Sequence, residues 1–137
     1  MRHPDITDND VAVFATTVPG RVEHLATLRG QLQRWLDSRR VPEPLREDVV
    51  LAAHEAVSDA IHQQGAEKED TTVTLHWDEA GVVMTAIDHY TWTAGTSGSG
   101  DDRDHRLRLI ARVAERVDLT VEEDHGTLTA YFTTDGD

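Results

Sequence analysis

Three side chains in the middle of the chain have a spacing that chemistry can use. Glu55, Asp59 and His62 stand at i, i+4 and i+7, so on a helix they project from one face. Two carboxylates one turn apart repel each other. That geometry can hold a divalent cation, or a carboxyl group that keeps its proton unusually well. The same spacing also describes a solvated acidic face beside a core stripe, and spacing alone leaves both readings open. Other chemistries lack their residues. The chain has no cysteine, which removes thiolate nucleophiles, thiolate zinc sites and disulfides. It has no H-E-x-x-H pattern and no G-x-S-x-G elbow, so neither zinc hydrolysis nor a serine triad at Ser58 or Ser97 has a signature. The eight histidines are scattered along the chain, and only His62 shares the spacing of Glu55 and Asp59.

Those residues need a helix, and the apolar pattern around them supplies one. Leu45, Val49, Ala53, Ala56 or Val57, Ala60 and Ile61 form a stripe that starts near Pro44 and fades at Gln63, Gln64 and Gly65, with proline tolerated in the first turn and glycine suited to the end. An earlier helix is expected over Arg21 to Arg39, its buried face made of Val22, Leu25, Leu28, Leu32, Trp35 and Leu36. Val11 to Thr17 reads as a strand ending at Pro19 and Gly20. Thr71 to Trp77 alternates with Val73, Leu75 and Trp77 on one side, turns at Asp78 to Gly81, and returns as Val82 to Asp88. A glycine-rich stretch, 91–104, has the composition of a lid-like loop. Leu107, Ile110, Ala111, Val113, Ala114 and Val117 mark a third helix, and a last hairpin turns at Asp124, His125 and Gly126. The expected fold class is α+β: a two-layer sandwich with a mixed, mainly antiparallel sheet and three helices on one face. Residues 1–10 are expected to be a flexible arm and 11–134 a single domain.

The composition limits the partners. The chain is 137 residues long, 38% apolar, with 13 basic against 26 acidic residues and a net charge of −13. Phosphate-backbone binding needs a cationic face, so direct nucleic-acid binding is not expected, and neither is an anionic membrane surface. No apolar run approaches the ~20 residues of a membrane span. A cytoplasmic location is expected.

The order of elements and three short motifs resemble the GHKL, or Bergerat-fold, histidine kinase-like ATPases, and within them the small anti-sigma-factor serine kinases. That family carries E-x-x-x-N-A-x-x-H on a helix, then a hairpin ending in D-x-G, a glycine-rich lid, G-x-G-L-x-L-I opening the next helix, and a closing hairpin. Here Glu55, Asp59 and Ala60 stand in the first block, with His62 one residue ahead of its histidine place, Asp88 and Tyr90 in the second, and Asp104, Arg106, Leu107, Leu109 and Ile110 in the third.

The resemblance implies roles residue by residue. Glu55 takes the place of the general base. Asp59 takes that of the magnesium-coordinating asparagine, and a carboxylate is still a hard oxygen donor. Asp88 takes the place of the aspartate that accepts from the adenine amino group. Tyr90 replaces the glycine that lies flat against the purine, and its ring either fills part of the base's volume or stacks on it. Asp104 and Arg106 replace two glycines whose backbone N–H groups close on the phosphates at a helix start. Asp104 puts negative charge there, where it can cap the helix and repel phosphate. The candidate nucleotide pocket is therefore Asp88, Tyr90, Arg106 and Leu107, with Asp59 for Mg2+ and Glu55 as base. ATP and Mg2+ are the implied ligands, with binding weakened or lost by these departures. The implied function is regulation of the anti-sigma type through a sigma factor and/or a STAS-domain antagonist, with homodimerisation left open. The alternative is an active Mg-ATP-dependent kinase that phosphorylates a serine on the STAS partner.

Overall fold

The computed structural model describes residues 12–63, 70–88, 100–122 and 125–133. The first strand, β1 (Ala12–Val18), is followed by a single 3-10 turn at Val22–His24 and helix α1 (Leu25–Ser38). Val22 lies in that turn and is 54% exposed, so the buried stripe of α1 is Leu25, Leu28, Leu32 and Leu36. The expected helix thus begins four residues late, because the chain uses 21–24 to turn out of the sheet.

Helix α1 ends in a Schellman motif. Arg40 adopts φ 60°, its N–H donates to the Asp37 carbonyl at 2.9 Å, and the Val41 N–H donates to the Leu36 carbonyl at 3.1 Å. Val41 and Leu36 are both buried, which supplies the apolar contact that accompanies this motif. The chain then enters α2 (Glu43–Gln63) with Glu43 in its first turn, where a negative charge complements the helix dipole.

Strands β2 (Thr71–Asp78) and β3 (Gly81–Asp88) form the central hairpin. Gly81 has φ 144°, and a Cβ there would stand 1.9 Å from the Phe132 carbonyl oxygen, so both the turn and the neighbouring strand require glycine. Helix α3 (Gly100–Val113) leads to β4 (Arg116–Val121) and β5 (Gly126–Thr133). The sheet runs β1-β2-β3-β5-β4, and every described ladder is antiparallel. β3 and β4 flank β5 and run parallel to each other, joined through α3.

The ladder registers line up inner-face rows across the sheet. One row is Val73, Ala86 and Leu128; the next is Leu75, Met84 and Ala130. All six are buried, against a core that includes Leu28, Leu32, Val49, Val57 and Ile110. Helix α2 packs between α1 and α3 as well as on the sheet. It therefore buries Val49, Val50, Ala52, Ala53, Ala56, Val57, Ala60 and Ile61, a much wider face than one amphipathic stripe. The run of alanines lets neighbouring helices approach closely.

One expectation is corrected by the helix boundaries. Residues 100–104 belong to the first turns of α3 rather than to a loop; residues 91–99, with Trp92, lie outside the described residues. The physical reason is charge: Asp101 and Asp102 stand in the first turn, where a helix start favours carboxylates. Ala111, expected on the buried face of this helix, is exposed, while Ile110 is buried and Leu107 half-buried.

Candidate functional site

The site is assembled on α2, two turns before its end. Asp59 is 3% exposed and Ser58 beside it 8%, whereas Glu55, one turn earlier, is half-buried. The helix repeat of ~100° per residue separates Glu55 from Asp59 by only ~40°. The burial gradient between them therefore sets a carboxylate at the rim beside a carboxylate within the helix layer. The side chain of His62 is outside the described residues. Among the described residues no three His, Asp or Glu side chains converge as a ready metal cage.

The sheet carries the candidate residue Asp88. Register places Val18, Thr71, Asp88, Gly126 and Val121 in one row across all five strands, and alternation along β2 puts that row on the helix-covered face with Val73 and Leu75. Asp88 thus ends β3 at a position directly opposite Thr71. Thr71 is 1% exposed, and its Oγ1 has no hydrogen-bond partner among the described residues. Sequence reasoning did not single out this threonine. The signal was present, since Thr71 precedes Val73, Leu75 and Trp77 by the same step of two.

Helix α3 carries the remaining candidate residues, Arg106 and Leu107. Leu107 packs against the core and Ile110 is buried in it. Tyr90 lies outside the described residues, and of Arg106 only the backbone is described. That backbone is informative. Because α3 starts at Gly100, its unused N–H groups end at Asp102, and the N–H groups of residues 103–106 turn back into the helix as i to i−4 donors. The expectation that Asp104 stands at the helix start is corrected: it lies a full turn inside.

A separate surface feature runs between α1 and α2. Two adjoining depressions of about 400 Å³ and 280 Å³ share Gln33, Glu47 and Val50. At their edge Arg29 Nη1 donates to His54 Nδ1 at 3.1 Å. Burial is the main influence that lowers the affinity of His54 for a proton, with Glu55 opposing it and Arg29 adding to it. Their lining residues on α2 lie between ~80° (Leu51) and ~180° (Val50) around the helix from Asp59, and Asp59 does not line either depression.

The profile of the histidine kinase-like ATPase domain matches residues 18–132, most of the chain. The chain belongs to that family. Among solved structures it is similar to the RsbU and RsbW domains of Rv1364c from Mycobacterium tuberculosis, with a TM-score of 0.66, 17% identity, and coverage of 88% of this chain and 32% of that one. It therefore spans about a third of the length of that neighbour, and at this identity the likeness is one of fold. Among curated proteins there is no significant sequence match. In this histidine kinase-like ATPase domain, no helix among the described residues is long and apolar enough to cross a membrane.

Proposed function

We propose that this ATPase-fold domain is a regulator of the anti-sigma-factor serine-kinase type whose nucleotide site keeps a base-binding end but has lost its phosphate-binding end, and that it acts by binding protein partners. The observation that carries this reading is the early start of α3. In a phosphate cradle the backbone N–H groups of the third block must be free and close to the ligand, which is what glycine permits. Here those N–H groups are consumed inside the helix. The N–H groups that remain free are flanked by Asp101 and Asp102, whose charge repels a polyphosphate. The residues present do not fit a triphosphate.

The remainder of the pocket fits better. The Thr71 hydroxyl, buried at the sheet end, suits the polar edge of a base. Asp59 is a hard oxygen donor of the kind magnesium accepts. Asp59 would be the residue to hold magnesium, and Glu55, half-buried one turn away, would be the candidate base. Asp88 would accept from the base amino group. The partners proposed are a sigma factor and/or a STAS-domain antagonist, reached from a cytoplasmic location, with the net charge of −13 favouring a basic partner surface.

Thermal shift with adenosine, ADP and ATP–Mg2+ tests the reading. A ligand at ~100 times its dissociation constant stabilises by about 2.7 kcal/mol, so equal fractional saturation gives equal shifts. The expected result is that all three compounds bind with similar, modest affinity. ATP–Mg2+ binding far more tightly than adenosine, together with transfer of its terminal phosphate to a STAS protein, would overturn it in favour of the working kinase. Native mass spectrometry with candidate sigma factors and STAS proteins tests the partner clause, which fails if no hetero-complex forms.

A further inference from the structure

Charge is unevenly placed along the chain. Arg21 to Arg46 hold six arginines and three acidic residues, a local charge of +3, against −16 over the rest of a chain whose net charge is −13. Two of these arginines are answered by carboxylates: Arg21 lies 3.9 Å from Glu23, and Arg46 lies 2.6 Å from Asp37. Arg29 and Arg34, both exposed on α1, face no carboxylate among the described residues. Exposed guanidiniums are ordinarily solvated, so charge alone makes no site, and their location is what matters. Arg29 stands on the α1 wall of the smaller depression between α1 and α2, and Arg34 on that of the larger. Val50, 7% exposed, lines both, and Leu51, an apolar residue left 38% exposed, lines the smaller one. The larger, about 400 Å³, falls in the size range of ligand pockets.

We infer that this groove docks a short acidic segment of a protein partner, its carboxylates on Arg29 and Arg34 and a leucine-like side chain on Val50 and Leu51. The inference does not depend on the nucleotide reading. A guanidinium has five N–H donors. Arg29 uses one on His54 Nδ1 at 3.1 Å, and the rest of its fork can hold a carboxylate on two bonds. Gly30 gives the segment room. Glycine inside a helix weakens it relative to alanine, yet α1 keeps one at mid-length, half-buried, beside Arg29. A Cβ there would stand 3.3 Å from Arg34 Nη1, so the missing side chain leaves a shelf on which this guanidinium lies and over which a docked backbone can pass closely. The groove also has a direction. Glu47, on α2, lines both depressions and Glu43 the larger, so the acidic edge of the segment must face α1 and a neutral or basic edge must face α2. The remaining charge of the chain repels such a segment at long range. Short-range contacts in the groove therefore hold it, while the long-range field serves a basic partner at another surface.

Fluorescence anisotropy of the full chain tests the docking, with a labelled peptide of glutamates bearing leucines along one edge and a counterpart with serine in place of leucine. The leucine peptide is expected to bind about tenfold or more tightly than the serine peptide, the difference that burying a leucine supplies. Arg34→Glu removes a side chain with no ion pair among the described residues, so the fold is expected to be unaffected while binding of the leucine peptide weakens about tenfold. Gly30→Ala is expected to raise the melting temperature of the free protein and to weaken binding about threefold, opposite signs that a purely structural glycine would not give. No binding of the leucine peptide at millimolar concentration would overturn the inference. Equal affinity for the serine peptide, or an Arg34→Glu variant that binds as tightly as wild type, would overturn it as well. Sedimentation velocity without peptide covers a different occupant: a wild-type dimer that Arg34→Glu dissociates would assign the groove to a second copy of the chain and overturn the acidic-segment reading.

Discussion

His54 is held between opposing influences. It is half-buried on α2, it accepts a hydrogen bond from Arg29 on α1, and Glu55 beside it favours the charged form. Burial dominates, so the folded protein binds a proton at this ring less readily than its ordinary value of 6.5 would allow. The unfolded chain then takes up the proton first as pH falls. The stabilisation from neutral His54 is fully present above pH 6.5 and is lost as pH drops towards and through the lower folded value. His54→Gln, which can still accept from Arg29, is expected to gain on wild type in melting temperature as pH is lowered from 7.5 to 5. A difference that stays constant over that range would show that His54 does not couple to stability. Arg40 offers a simpler case. Its φ of 60° costs any residue with a Cβ ~1 kcal/mol or more, and its backbone position is the one where glycine is favoured. Arg40→Gly is expected to stabilise by about 0.5–1 kcal/mol in urea unfolding.

Among the elements, α3 separates what the scaffold keeps from what the ligand needs. Leu107 and Ile110 pack as the third block of the family motif requires, yet the helix has grown one turn upstream of that block. Replacing Asp104 and Arg106 together by glycine reverses the cause. The double variant is expected to lose about 1 kcal/mol of stability from helix propensity and to gain preference for ATP–Mg2+ over adenosine in the same thermal-shift comparison. Unchanged nucleotide preference would sink the proposal that the early start of α3 is what removes phosphate binding. This boundary is also where the sequence was hardest to interpret. Glycines and serines over 91–100 suggest a loop as far as they run, and nothing in the apolar period shows that two aspartates would extend a helix back to Gly100. The rest of the fold was legible because burial has a period: 2 along β2 and β5, and 3.6 along α1. Helix α2 was legible in place but not in breadth, since its partners on two sides make nearly every small residue a core residue. Asp59 and Glu55 could be put on one face by spacing, but that one is buried and the other at the rim depends on how α3 lies against α2. Thr71 needed the register, because a threonine at a strand start means little until the residue opposite it is known.

On the scale of the whole molecule, charge and fold act on different quantities. The scaffold fixes which surfaces exist, while a net charge of −13 on 137 residues sets a long-range field that accelerates encounter with a basic surface and slows encounter with an acidic one. Fixed short-range contacts determine how long a complex lasts. The two are separable by salt, because the Debye length falls from ~10 Å at 0.1 M to ~3 Å at 1 M. If the partner presents a basic face, as a DNA-binding region of a sigma factor does, the association rate in stopped-flow mixing is expected to fall about tenfold or more between 0.05 and 0.5 M salt, with the dissociation rate changing much less. A STAS-type partner whose contact surface is acidic is expected to show the opposite trend, faster association as the shared negative charge is screened. An association rate indifferent to salt with every partner would mean that the charge of the chain serves solubility alone, and that recognition depends entirely on contacts at close range.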